Sequence, residues 1–149
     1  MNGGKSPEKV DFIKCSVKRR DKKLPEQLLS ISEVDQLIRA SKFDRDRAII
    51  SLLYYGGLRV GELGELWIKD IVFEENGVRV HVQKGKTGAR SILVLEPEPY
   101  LRVWIRNHPY ADDIDSPLWV DFQYKKPIRY DAIRQMIKRI AKEVGLPLK

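Results

Sequence analysis

The chain has 149 residues, 42% of them hydrophobic, and a formal net charge of +7, which suits one ordinary core and is too short for two comfortable domains. No run approaches the roughly 18 uninterrupted apolar residues of a membrane helix, and the opening "MNGGKSPEKV" lacks an apolar signal region, so a soluble, cytoplasmic protein with no membrane association is expected. One cysteine and two histidines give neither an internal disulfide nor a convincing metal-ligand set, and no cofactor is expected.

The charge sits at the ends. Residues 1–23 hold eight basic and three acidic side chains and residues 122–149 hold eight and two, so the intervening residues carry −4. Two basic ends around an acidic centre suggest a polyanion that touches both; a plain solvated surface is the alternative.

Residues 1–28 contain Gly-Gly, two prolines and "KRRDKK" without an apolar period, and read as a basic arm or linker that includes Lys18, Arg19 and Arg20. The domain then runs over 29–149. In "LSISEVDQLIRAS", Ser30 is placed to cap a helix, Glu33 to close a capping box, and Leu29 to staple against Val34. Val34, Leu37 and Ile38 form its buried stripe. A second helix from about Asp44 turns Ala48, Ile49, Leu52 and Leu53 inward and ends at Gly56-Gly57, where a left-handed cap needs no side chain.

A third helix, "RVGELGEL", opens on Arg59. From Ile68 the period becomes alternating, and "DIVFEENGVRVHVQKGKTGARSILVL" reads as three strands, with Asn76-Gly77 in the first turn and "KGKTG" as a lysine-bearing second tip. After Pro97 a helix carries Leu101, Trp104 and Ile105, and a loop leads to the apolar "LWV". The last helix starts near Asp131, with Ile133, Ile137, Ile140 and Val144 inward and Arg134, Lys138, Arg139 and Lys142 elsewhere, and stops at Gly145. Trp67, Trp104 and Trp119 read as core or near-core. The fold class is α+β: mainly helical, with a small three-stranded antiparallel sheet.

Arg59 stands between a Gly-Gly pair and a run of leucines. A guanidinium stays charged and is expensive to desolvate, so something anionic should face it. Its position after a helix break also offers backbone N–H groups and the positive end of a helix dipole.

The series "LLYYGGLRVGELGELWIKDIVF" followed by "GVRVHVQKGKTGARSILVL", "PLWV" and a basic helix resembles the first half of the catalytic domain of tyrosine recombinases, the phage-integrase and Xer-like family. Members cut DNA by attack of a tyrosine on the scissile phosphate, leaving a 3′-phosphotyrosine and a free 5′-hydroxyl, with no metal or nucleotide. The resemblance implies that Arg59 is the first catalytic arginine and that the hairpin lysine protonates the leaving oxygen. Lys86 fits that lysine, with Lys84 kept as second choice. Glu62, three residues after the arginine, would prop neighbouring site groups; a surface ion pair is its plainer reading.

The last helix resembles the one that members lay in a major groove, which would turn Tyr130, Arg134 and Lys138 toward double-stranded DNA. The His-x-x-Arg box and tyrosine nucleophile that follow in the family are not found before the chain stops at "EVGLPLK", and neither His81 nor His108 sits in such a box. The expectation is a truncated recombinase catalytic domain that binds DNA, does not cleave alone, and self-associates on DNA in its full-length form. A non-catalytic DNA-binding regulator and a protein-interaction module are the alternatives.

Overall fold

The computed structural model describes residues 29–83, 88–123 and 126–146. In order they form α1 (Ile31–Ala40), α2 (Asp44–Gly56), the short α3 (Val60–Gly64), a 3-10 turn (Ile68–Asp70), β1 (Ile71–Glu74), β2 (Gly77–Val82), β3 (Arg90–Val94), α4 (Glu98–Arg106) and α5 (Tyr130–Glu143). The three strands are antiparallel in the order β1-β2-β3, so the α+β expectation holds. Lys18, Arg19 and Arg20 of the N-terminal arm, and Lys84 and Lys86 of the hairpin tip, lie outside the described residues.

Local chemistry explains where the first helices start and stop. Ser30 Oγ accepts from Glu33 N at 3.1 Å while Glu33 Oε1 accepts from Ser30 N at 2.9 Å, satisfying two otherwise orphaned donors. α1 then buries Val34, Leu37 and Ile38. α2 buries Ala48, Ile49, Leu52 and Leu53 and packs against α1, α4 and β3. Gly57, with φ 67° and ψ 26°, ends it; an L side chain in that left-handed region would be strained.

A buried charge at the start of α2 has no precedent in the apolar pattern. Asp46 is 1% exposed, and Arg45 meets its Oδ1 through Nε at 3.0 Å and Nη2 at 2.9 Å, while Nη1 reaches Val120 O at 3.0 Å. The pair is therefore compensated, and it fastens the segment after Trp119 to α2.

Two details differ from the sequence reading. The first hairpin turns on Glu75 and Asn76, because Gly77 already pairs with Glu74 as the first residue of β2. In α5 the inward face is Ile133, Met136, Ile140 and Ala141, whereas Ile137 and Val144 are only partly buried. The helix rolls so that the flexible Met136 fills the space expected for Ile137. Its end is a six-to-one closure: Leu146 N bonds Ala141 O at 2.8 Å and Gly145 N bonds Lys142 O at 3.2 Å, which returns Leu146 to the core. Among the described residues, no helix is long and apolar enough to cross a membrane.

Candidate nucleic-acid site

Arg59 is the N-cap of α3, in extended backbone (φ −75°, ψ 151°), immediately after the left-handed cap of α2 and the buried Leu58. Its carbonyl accepts from Leu63 N at 2.9 Å and its N–H donates to Glu62 Oε1 at 3.0 Å. α3 has only five residues, and Glu62 occupies that first N–H. The helix-dipole contribution expected from the sequence is therefore corrected: a single turn sums few peptide dipoles and does not form an anion site.

Glu62 instead organises the site. Arg90, at the start of β3, donates from Nη1 to Glu62 Oε2 at 2.9 Å and from Nη2 to Oε1 at 3.0 Å. The Glu62 side chain is 7% exposed and that of Arg90 34%, so this fork lies at the edge of the interior, where such a pair is better shielded than a surface one. The Arg90 bonds, then the Arg59 N–H and the charges of both arginines, hold the Glu62 carboxyl below its ordinary range against the opposing effect of burial. Glu62 is thus not the exposed i, i+3 pair of its plainer reading: its carboxylate joins the Arg59 turn to β3.

Arg90 was not singled out in the sequence, although a signal existed. Arg90, Ile92 and Val94 share one face of β3, and Ile92 and Val94 pack into the core; a cation on that face requires a buried anion.

A second carboxylate ties the sheet to the same region. Asp70 is 1% exposed; its Oδ2 accepts from Trp67 N at 2.9 Å and its Oδ1 from Gln83 Nε2 at 3.0 Å. Gln83 directly follows β2, so Asp70 fixes where the chain leaves that strand. Glu62, Glu65, Leu66, Trp67 and Gln83 line a small pocket beside it.

Trp67 corrects the sequence reading. It is 41% exposed, with Lys69 Nζ 4.8 Å from its ring centroid, because Trp67 bridges to Pro117 at the surface while Ile68 takes the buried position. Trp104 and Trp119 are buried as expected.

α5 packs on α3; a Cβ added at Gly64 would lie 3.8 Å from Ile133 Cδ1. The opposite face of α5 exposes Arg134, Lys138, Arg139 and Lys142, and Tyr130 is 50% exposed with the Arg134 guanidinium carbon 5.7 Å from its ring centroid. Tyr130, Arg134 and Lys138 are therefore all exposed, and the helix that carries them rests on the helix that Arg59 opens. His81 and His108 take no part. His81 Nδ1 lies 2.7 Å from Ser91 Oγ, and His108 is buried behind α4.

The chain is 36% identical to tyrosine recombinase XerA of Pyrococcus furiosus over 132 positions, covering 85% of this chain and 44% of the relative. It is 27% identical to transposase A of transposon Tn554 from Staphylococcus aureus over 147 positions, covering 91% and 41%. A crystal structure of XerA recombinase superposes with a TM-score of 0.71 at 29% identity, covering 89% of this chain and 47% of that one. XerH recombinase bound to difH substrate shares the fold, with a TM-score of 0.66 at 18% identity over 89% and 40%. The chain spans less than half the length of these relatives. The model of the phage integrase family matches residues 26–149, and on that match the chain belongs to this family.

Proposed function

We propose that these residues are the part of a DNA-breaking and rejoining tyrosine recombinase that grips duplex DNA and presents the first catalytic arginine, and that they do not cleave DNA by themselves. Arg59 meets the nonbridging oxygens of the scissile phosphate, where a planar fork stabilises the charge of the transferring phosphoryl group. A tyrosine oxygen from outside this chain bonds to phosphorus as the bond to the 5′ oxygen breaks. Lys86, or Lys84 in its stead, gives the departing oxygen its proton. Residues 1–28 act as a linker whose Lys18, Arg19 and Arg20 follow phosphates. Residues 29–149 form the first part of the catalytic domain, with Tyr130, Arg134 and Lys138 against the duplex, and copies of the full-length protein assemble on DNA.

The observation that carries this reading is the Glu62 carboxylate shared between the Arg59 N–H and the Arg90 fork, on a helix that packs against α5 with its exposed basic residues. The solved relatives include XerH bound to its difH substrate and lambda integrase bound to DNA, which supports a duplex partner.

Fluorescence anisotropy of a labelled duplex against salt tests the reading. The expected result is weak binding that falls steeply with salt, and Arg134→Ala with Lys138→Ala should reduce the logarithmic salt slope by about 2. Binding that ignores salt would sink the phosphate contacts. A covalent protein–DNA adduct on a denaturing gel would sink the claim that the chain does not cleave alone.

A further inference from the structure

We infer that Arg90 is a positioning residue for the anion site: its fork compensates Glu62 so that the cluster keeps a net positive charge for a phosphate at Arg59. This rests on the reading of Arg59 as the phosphate-binding arginine. The argument is one of charge and reach.

Glu62 is a nearly enclosed carboxylate held in the charged form. Two cations act on it: Arg59 from its own turn, and Arg90 delivered across 28 positions of sequence by β3. Arg59, Arg90 and Glu62 sum to +1; without Arg90 these side chains sum to zero. A buried carboxylate deprived of one partner turns to the other, so removal of Arg90 makes Glu62 compete with any external anion for the Arg59 guanidinium.

The fork is built into the fold. Arg90 pairs with Val82 at the end of the β2–β3 ladder. Two residues on, Ile92 Cδ1 lies within 3.3 Å of where a Cβ would stand on Gly56, one residue before the cap that precedes Leu58 and Arg59. The sheet and the Arg59 turn are thus in contact through packing as well as charge, and Arg90 arrives at Glu62 with its backbone already fixed. A lysine would supply the charge without the two parallel bonds.

The test uses the 149-residue chain labelled with nitrogen-15, following arginine Nε–Hε resonances during a titration with inorganic phosphate against chloride at equal ionic strength. The Arg59 resonance is identified by its loss in Arg59→Lys. Phosphate should shift it saturably in the wild type, and Arg90→Gln should weaken the dissociation constant by about tenfold, as expected for one lost charge in a partly screened site. Arg90→Lys should recover part of the loss. The double variant Glu62→Gln, Arg90→Gln, which restores the net charge of +1, should bind better than Arg90→Gln alone. A purely structural role for Arg90 predicts the opposite, because the double variant removes both halves of the fork. Thermal unfolding of each variant reports its fold, and Arg90→Lys carries the comparison if Arg90→Gln does not fold. Wild-type binding with an Arg90 variant within twofold of it overturns the inference and leaves the anion site intact. An Arg59 resonance that phosphate moves no more than chloride does overturns the site reading, and this inference with it.

Discussion

The indole Nε1 of Trp119 donates to the backbone carbonyl of Leu63 at 2.8 Å, with both residues shut off from solvent. The bond joins the apolar strip "LWV" to the last turn of α3, the helix that Arg59 opens. It is the second bond to that carbonyl, which also accepts from Leu66 N at 3.2 Å where the helix ends. Trp119→Phe removes that donor and leaves a small cavity, with the Leu63 carbonyl keeping only the longer bond from Leu66 N at 3.2 Å. The expected loss is about 1–3 kcal/mol, read in urea as a lower midpoint at an unchanged slope.

Glu62 makes stability depend on acid. Its folded carboxyl titrates below the ordinary value of 4.5, chiefly because Arg90 hydrogen-bonds the charged form. The stabilisation is therefore fully present above pH 4.5 and is lost as pH falls through the lower folded value. Glu62→Gln should flatten the acid limb of the stability curve in that window. A limb of unchanged steepness in the variant would show that other carboxylates carry it.

His108 responds over a higher range. Burial lowers its folded titration below the ordinary 6.5, opposed by the carbonyls of Pro117 and Leu118. Nδ1 accepts from Tyr110 N at 2.9 Å, and Nε2 lies 3.0 and 3.1 Å from those carbonyls, so the neutral ring with its proton on Nε2 satisfies every neighbour. The unfolded chain takes up the proton first as pH drops, so this stability is present above 6.5 and lost as pH falls toward the folded value. Proton NMR of the two imidazoles should place the His108 midpoint below 6.5. A midpoint above it would contradict the bonding described.

The sequence showed what is decided by near neighbours. Ser30 with Glu33, the glycine after α2 and the stripe Val34, Leu37, Ile38 are i, i+3 and i, i+4 matters, and all three appear as expected. Less legible were contacts decided by the sheet or by helix roll. The partner of Glu62 lies 28 residues away on β3, the exchange of Met136 for Ile137 depends on how α5 seats on α3, and the exposure of Trp67 depends on the chain crossing at Pro117. Arg45 with Asp46 was hidden for another reason. Adjacent charges at a helix start look like surface, and only the closure by Val120 and Phe122 buries them.

The pair Gly56-Gly57 has two unlike requirements. Residue 57 needs its dihedral angle, whereas residue 56 needs empty space: a Cβ there would stand 3.2 Å from Leu52 Cδ1 and 3.3 Å from Ile92 Cδ1. A methyl group at residue 56 would require the ends of the Leu52 and Ile92 side chains to give by a few tenths of an ångström. The chain segment that leads to Arg59 and the strand that carries Arg90 therefore meet at a position with no side chain, through Ile92 and without a charged atom.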